Sequence, residues 1–65
     1  MEFEIGKRYK WLNSYEDEDD IKWEDGVLID IFQIRAISYG KLCTRDNVMW
    51  GIPLDADYLE EYKEN

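Results

Sequence analysis

Val27-Leu28-Ile29-Asp30-Ile31-Phe32-Gln33-Ile34-Arg35-Ala36-Ile37-Ser38-Tyr39, residues 27–39, is the apolar heart of the chain. Between residues 27 and 37, Val27, Ile29, Ile31, Ile34 and Ile37 are β-branched, and such side chains lose rotamer freedom in a helix and pack well in a sheet. The stretch therefore reads as strand. Its alternation changes parity: Val27, Ile29 and Ile31 share one face, Phe32, Ile34 and Ala36 the other, and Ile37 and Tyr39 return to the first. A single strand that switches its buried face in this way is bulged or strongly twisted, as in a small barrel.

On the N-terminal side, Asp25-Gly26 is a turn signal that opens this strand. Further back, Phe3 and Ile5 alternate with Glu2 and Glu4, and Tyr9 and Trp11 with Arg8 and Lys10. Residues 2–12 thus read as one strand, bent or bulged near Gly6. On the C-terminal side, Tyr39-Gly40-Lys41 predicts the next turn. Leu42 to Arg45 and Val48 to Ile52 then flank Asp46-Asn47, two residues that tolerate positive φ and suit a two-residue hairpin. Pro53 blocks the ladder. Asp55 is placed to cap a short final helix, with Leu54 and Leu59 at the spacing of a hydrophobic staple. The expected fold is all-β, a small barrel of four to five strands with a long acidic loop at 13–20 and a C-terminal helical turn. At 65 residues the chain is a single small domain, with its last residues, 60–65, at the fraying end.

Charge is concentrated in two places. Residues 13–25 carry seven acids against Lys22, and residues 55–65 carry five against Lys63, within a chain whose net charge is −8. Single-sign charge at this density makes a field that attracts a basic partner and repels nucleic acid. Direct nucleic-acid binding is therefore excluded by charge.

The chemistry of catalysis is missing from the chain. It has no histidine and one cysteine, Cys43, so no imidazole stands ready to activate the thiol and no disulfide framework exists. No glycine-rich phosphate loop occurs, and no Asp-x-Asp-x-Asp-Gly calcium pattern. We read the protein as no enzyme, with no cofactor and no metal. Met1-Glu2-Phe3-Glu4 is acidic with no apolar run, unlike a secretory signal, and no stretch has the roughly 20 apolar residues of a membrane helix. The expected location is the cytoplasm.

Taken together, the residues resemble an SH3 domain. Tyr9 and Trp11 resemble the aromatic segment near that family's first strand, and Glu16 to Asp20 its acidic loop. Ile21-Lys22-Trp23-Glu24-Asp25-Gly26 ahead of Val27 to Ile31 resembles its acid-rich approach to an apolar strand. Gly51-Ile52-Pro53 and Tyr58-Leu59 resemble its closing motif. Ile34-Arg35-Ala36-Ile37 stands where the family carries paired tryptophans, so the resemblance implies an SH3-like barrel more than proline-rich peptide binding. The opening Phe3-Glu4-Ile5-Gly6-Lys7-Arg8-Tyr9 is also similar to short SH3-like proteins encoded by bacteriophages and other mobile elements.

The candidate binding residues are Tyr15, Glu16, Asp17, Glu18, Asp19, Asp20, Trp23, Glu24, Asp25 and Tyr58. The acids have three readings: a solvated loop, a dock for a basic protein surface, or an imitation of nucleic acid. Duplex DNA shows one charge per about 1.7 Å, and an extended five-residue run spans about 16 Å, so the carboxylate density is comparable. Tryptophan and tyrosine anchor interfaces because they bury much area at little entropic cost. Three tryptophans exceed the needs of so small a core. We expect Trp11 and Trp50 to pack inside, and Trp23 and Tyr15 to be exposed. The implied activity is non-enzymatic protein binding, as an inhibitor of a basic, nucleic-acid-binding surface. An SH3-like peptide groove built on Tyr9, Pro53 and Tyr58, and a structural subunit of a larger assembly, are the alternatives. The expected state is a monomer or weak homo-oligomer with no membrane partner.

Overall fold

The computed structural model describes residues 2–12 and 22–63, so the acidic residues 13–20, with Tyr15 among them, lie outside the described residues. The described chain is all-β. Five strands, β1 (Arg8–Leu12), β2 (Trp23–Ile34), β3 (Ile37–Thr44), β4 (Met49–Pro53) and β5 (Leu59–Glu61), form one antiparallel sheet in the order β4-β3-β2-β1-β5. β4 and β5 are both edges, and no ladder joins them, so the sheet is not closed.

One face of the sheet holds the core: Tyr9, Trp11, Leu28, Leu42, Ile52 and Leu59, with Phe3, Trp50, Leu54 and Ala56 packed against it. The indoles of Trp11 and Trp50 meet at 6.0 Å between ring centroids, tilted by 56°. Their strands are separated in the sheet by β2 and β3, so the sheet curls to bring them together. The expected inward packing of these two tryptophans is what the structure shows.

The parity change in residues 27–39 has two sources. The register between β2 and β3 shifts between Leu28 and Asp30, a bulge that leaves Ile29 out of the pairing. That much follows the sequence reading. The stretch is not one strand, however: a hairpin turns at Arg35 and Ala36, between the paired Ile34 and Ile37. Arg35 has a φ of 58°, a left-handed conformation that side chains other than Gly, Asn and Asp rarely adopt, and so gave no turn signal.

Both glycine-based turns move accordingly. Gly26 lies inside β2 and Gly40 inside β3. They serve close packing instead of turning: a Cβ on Gly40 would come to 2.9 Å from both Leu28 Cδ1 and Leu54 Cδ2. The hairpin expected at Asp46-Asn47 is longer than two residues. β3 ends at Thr44 and β4 begins at Met49, with the Thr44 amide donating to the Val48 carbonyl and Asn47 at a φ of 64°.

The N-terminal strand starts at Arg8, not residue 2. Gly6, at a φ of 95°, turns the chain so that its amide donates to the Leu28 carbonyl at 2.7 Å. The amide of Leu28 donates to the Lys7 carbonyl at 2.9 Å. Among the described residues the expected final helix does not form. Isolated turns, with the Ala56 amide donating to Pro53 and the Leu59 amide to Ala56, lead into β5, where Leu59 pairs with Trp11 and is buried. A helix of one or two turns bears the full nucleation cost, whereas the open side of β1 offers ready ladder partners.

Candidate functional site

β1 and β2 are joined through the acidic residues, and the structure defines the two anchor points of that connection: Leu12 and Trp23, directly paired at the end of the sheet. On the other side of β1, the Leu12 amide donates to the Tyr58 carbonyl at 3.2 Å, just before β5. Trp23, Leu12 and Tyr58 therefore form one row across neighbouring chain segments. Trp23 is 47% exposed and Tyr58 41%. Two expected site residues far apart in sequence are thus brought to the same end of the sheet, beside the entry and exit of the acid-rich stretch.

Cross-strand pairing surrounds this row with charge. Lys10 stands opposite Asp25 on one side and Glu60 on the other. Its ammonium lies 4.6 Å from the centroid of a Trp23 ring and 3.6 Å from Glu60 Oε2. The ring of Trp23 thus binds a cation within the chain itself, as the quadrupole of an indole favours. Lys10 was not among the residues singled out from sequence. Its position diagonal to Trp23, two residues along β1 from Trp23's partner Leu12, depends on the β1–β2 pairing, and no local motif announces it.

Asp25 is committed to the fold. Its Oδ2 accepts from Arg8 Nη1 at 2.7 Å and from Arg45 Nε at 3.1 Å, joining β1, β2 and the β3–β4 hairpin. Glu24, paired with Trp11, is half-buried. The carboxylates at 16–20 lie outside the described residues.

Tyr9 is 1% exposed, with its hydroxyl accepting from the Glu4 amide at 2.8 Å. It is a core residue and cannot wall a peptide groove with Pro53 and Tyr58. Cys43 is half-buried, its Sγ 3.8 Å from Asn47 Oδ1.

A second surface lies farther along the sheet, on the same face away from the core. Phe32 and Tyr39, paired across β2 and β3, stack at 5.5 Å with only 12° between their planes. Beside them Asp30, Phe32, Lys41, Met49, Trp50 and Gly51 line an open groove of about 320 Å³. No protein-family model matches the chain, and neither the curated proteins nor the solved structures contain a match to it.

Proposed function

We propose that the protein is a non-enzymatic binding module that blocks a basic, nucleic-acid-binding surface of another protein. The observation that carries this reading is the row of Trp23, Leu12 and Tyr58, which sets one exposed aromatic side chain at an anchor point of the acid-rich connection and a second beside the other anchor point. Aromatic anchors adjoining an acid-rich stretch of chain suit an arginine- or lysine-rich surface: charge steers the encounter and the rings bury area. The Lys10 ammonium over the Trp23 ring supports the reading that this indole accepts a cation, as a partner's arginine or lysine would offer on the other ring face. Glu16, Asp17, Glu18, Asp19 and Asp20 supply the steering field and, in this reading, stand in for phosphates.

The same reading takes the curled sheet for an SH3-like barrel of the kind that bacteriophages encode, acting in the cytoplasm. A meander with one added strand beside β1 and aromatic side chains on the inner face supports it.

The test is a pull-down of tagged protein from nuclease-treated bacterial lysate, followed by measured association with the retained partner. Converting Asp17, Glu18, Asp19 and Asp20 to Asn and Gln slows association, added salt weakens it, and duplex DNA competes with it. Binding that ignores both salt and the four substitutions refutes the proposal.

A further inference from the structure

The unpaired edge of β4 carries an inference that the acidic surface does not. From Val48 to Leu54 the chain has no charged residue, and β4 ends one side of the sheet. Natural edge strands are guarded by charge, bulges or proline because their open N–H and C=O groups invite another strand. The opposite edge, β5, is guarded: Glu60 and Glu61 lie on it. β4 has only Pro53, its last residue.

The register shows which groups are open. The Thr44 amide donates to the Val48 carbonyl and the Leu54 amide to Ser38, so the even-numbered residues of this ladder are the hydrogen-bonded ones. By the alternation of antiparallel pairing, the N–H and C=O of Met49 and Gly51, and the C=O of Pro53, point away from β3.

This set is self-complementary. In an antiparallel pair of β4 strands centred on Gly51, the two Gly51 residues exchange both hydrogen bonds, and each Met49 N–H meets the Pro53 carbonyl of the other copy. The one donor that proline lacks falls at the end of the ladder, where it is least needed. Gly51 adds a second observation. Cβ atoms on Gly26 and Gly40 would approach heavy atoms to 2.8 Å and 2.9 Å, but on Gly51 the nearest contact would be an ordinary 3.6 Å, from Phe32 Cζ. The isolated fold leaves room for a side chain there. A strand glycine away from any bulge or bend is one of the places where another backbone can come close. The groove over Gly51 and Phe32 is open to the diagonal neighbour in the new ladder, Met49 of the other copy, a residue 52% exposed in the single chain.

We propose that the chain forms a symmetric dimer through β4, joining two five-stranded sheets into one of ten strands. Charge selects the partner and the edge. Residues 26–54 carry a net charge of only +1, so two copies meet there without the repulsion that the acids of β5 impose.

Sedimentation velocity from micromolar to millimolar protein tests this, with amide exchange recorded over the same range. The mass rises from 7.9 kDa toward twice that value, and the Gly51 and Met49 amides become protected as concentration rises. Added salt strengthens this association by screening self-repulsion, the reverse of its effect on a basic partner, so the two proposals fail separately. Gly51→Pro removes an outward N–H without touching the β3 ladder, and Met49→Lys places a cation on the edge. Each weakens the dimer by at least about tenfold. Circular dichroism shows whether each variant folds, and either folded variant suffices for the comparison. A 7.9 kDa species at every concentration, an unlimited polymer, or dimers unaffected by the substitutions would overturn the proposal.

Discussion

Gly26 lies beneath the indole of Trp11: a Cβ on its backbone would come to 3.1 Å from Trp11 Cη2 and 2.8 Å from the Cys43 carbonyl oxygen. Trp11 is 1% exposed, so the ring has nowhere to withdraw, and the carbonyl belongs to the β3 backbone. Gly26→Ala is expected to destabilise the fold by about 1–3 kcal/mol through overpacking. The urea midpoint reads the change, and an unchanged midpoint would show that the sheet can part at this point. In a domain this small such a loss is a large share of the total stability.

Arg35 gives the opposite sign. Its φ of 58° is a conformation in which glycine carries no Cβ penalty. Arg35 is exposed and sits in the two-residue turn between Ile34 and Ile37. Arg35→Gly is expected to raise the unfolding midpoint, by up to about 1 kcal/mol after the entropy that glycine adds to the unfolded chain. Thermal and urea unfolding of the two proteins side by side give the answer.

Lys7 binds its proton more tightly than an isolated lysine. The hydrogen bond and charge of Glu61, 3.0 Å away, raise its pKa above the ordinary 10.5. A raised folded-state pKa stabilises the fold fully below the unfolded value, and the contribution is lost as pH rises through the folded one. Stability conferred by this pair therefore declines only above about pH 10.5. In Glu61→Gln the Lys7 side-chain resonance should titrate at a lower pH than in the parent. Both groups are exposed, so the effect on stability is small and screened by salt.

Asp25 bridges Arg8 and Arg45, and its side chain is 27% exposed. Asp25→Asn is expected to cost about 1 kcal/mol, less at high salt, without slowing association with a basic partner. Trp23→Ala should do the reverse: little change in unfolding midpoint and a marked rise in dissociation rate. Fluorescence-detected unfolding and surface-based kinetics separate the two outcomes.

Much of the local character was legible. The β-branched run from Val27, the bulge within it, the inward pairing of Trp11 with Trp50 and the exposure of Trp23 all followed from side-chain type and period. The misplaced turns share a cause. Gly26 and Gly40 read as turn residues because glycine permits turning, but each sits where a Cβ would collide, Gly26 with the backbone of Cys43 and the Trp11 ring and Gly40 with the Leu28 and Leu54 side chains. The actual turn at Arg35-Ala36 contains neither glycine nor proline. The helix expected after Asp55 had sound capping signals, yet Leu59 is worth more as a core residue against Trp11 than in an isolated turn.

By itself the sequence determined that the chain folds as β structure, that its acids are segregated, and that the histidine, disulfide and phosphate-loop chemistry of common enzymes is missing. These are properties of residue type and spacing, which need no partner to be defined. Only the tertiary structure decided which side chains share a surface. The β1 ladders place Trp23 and Tyr58 on either side of Leu12, and the β3–β4 register points the amides of Met49 and Gly51 outward. Both depend on pairing between distant segments, and a shift of one residue would reverse every such assignment.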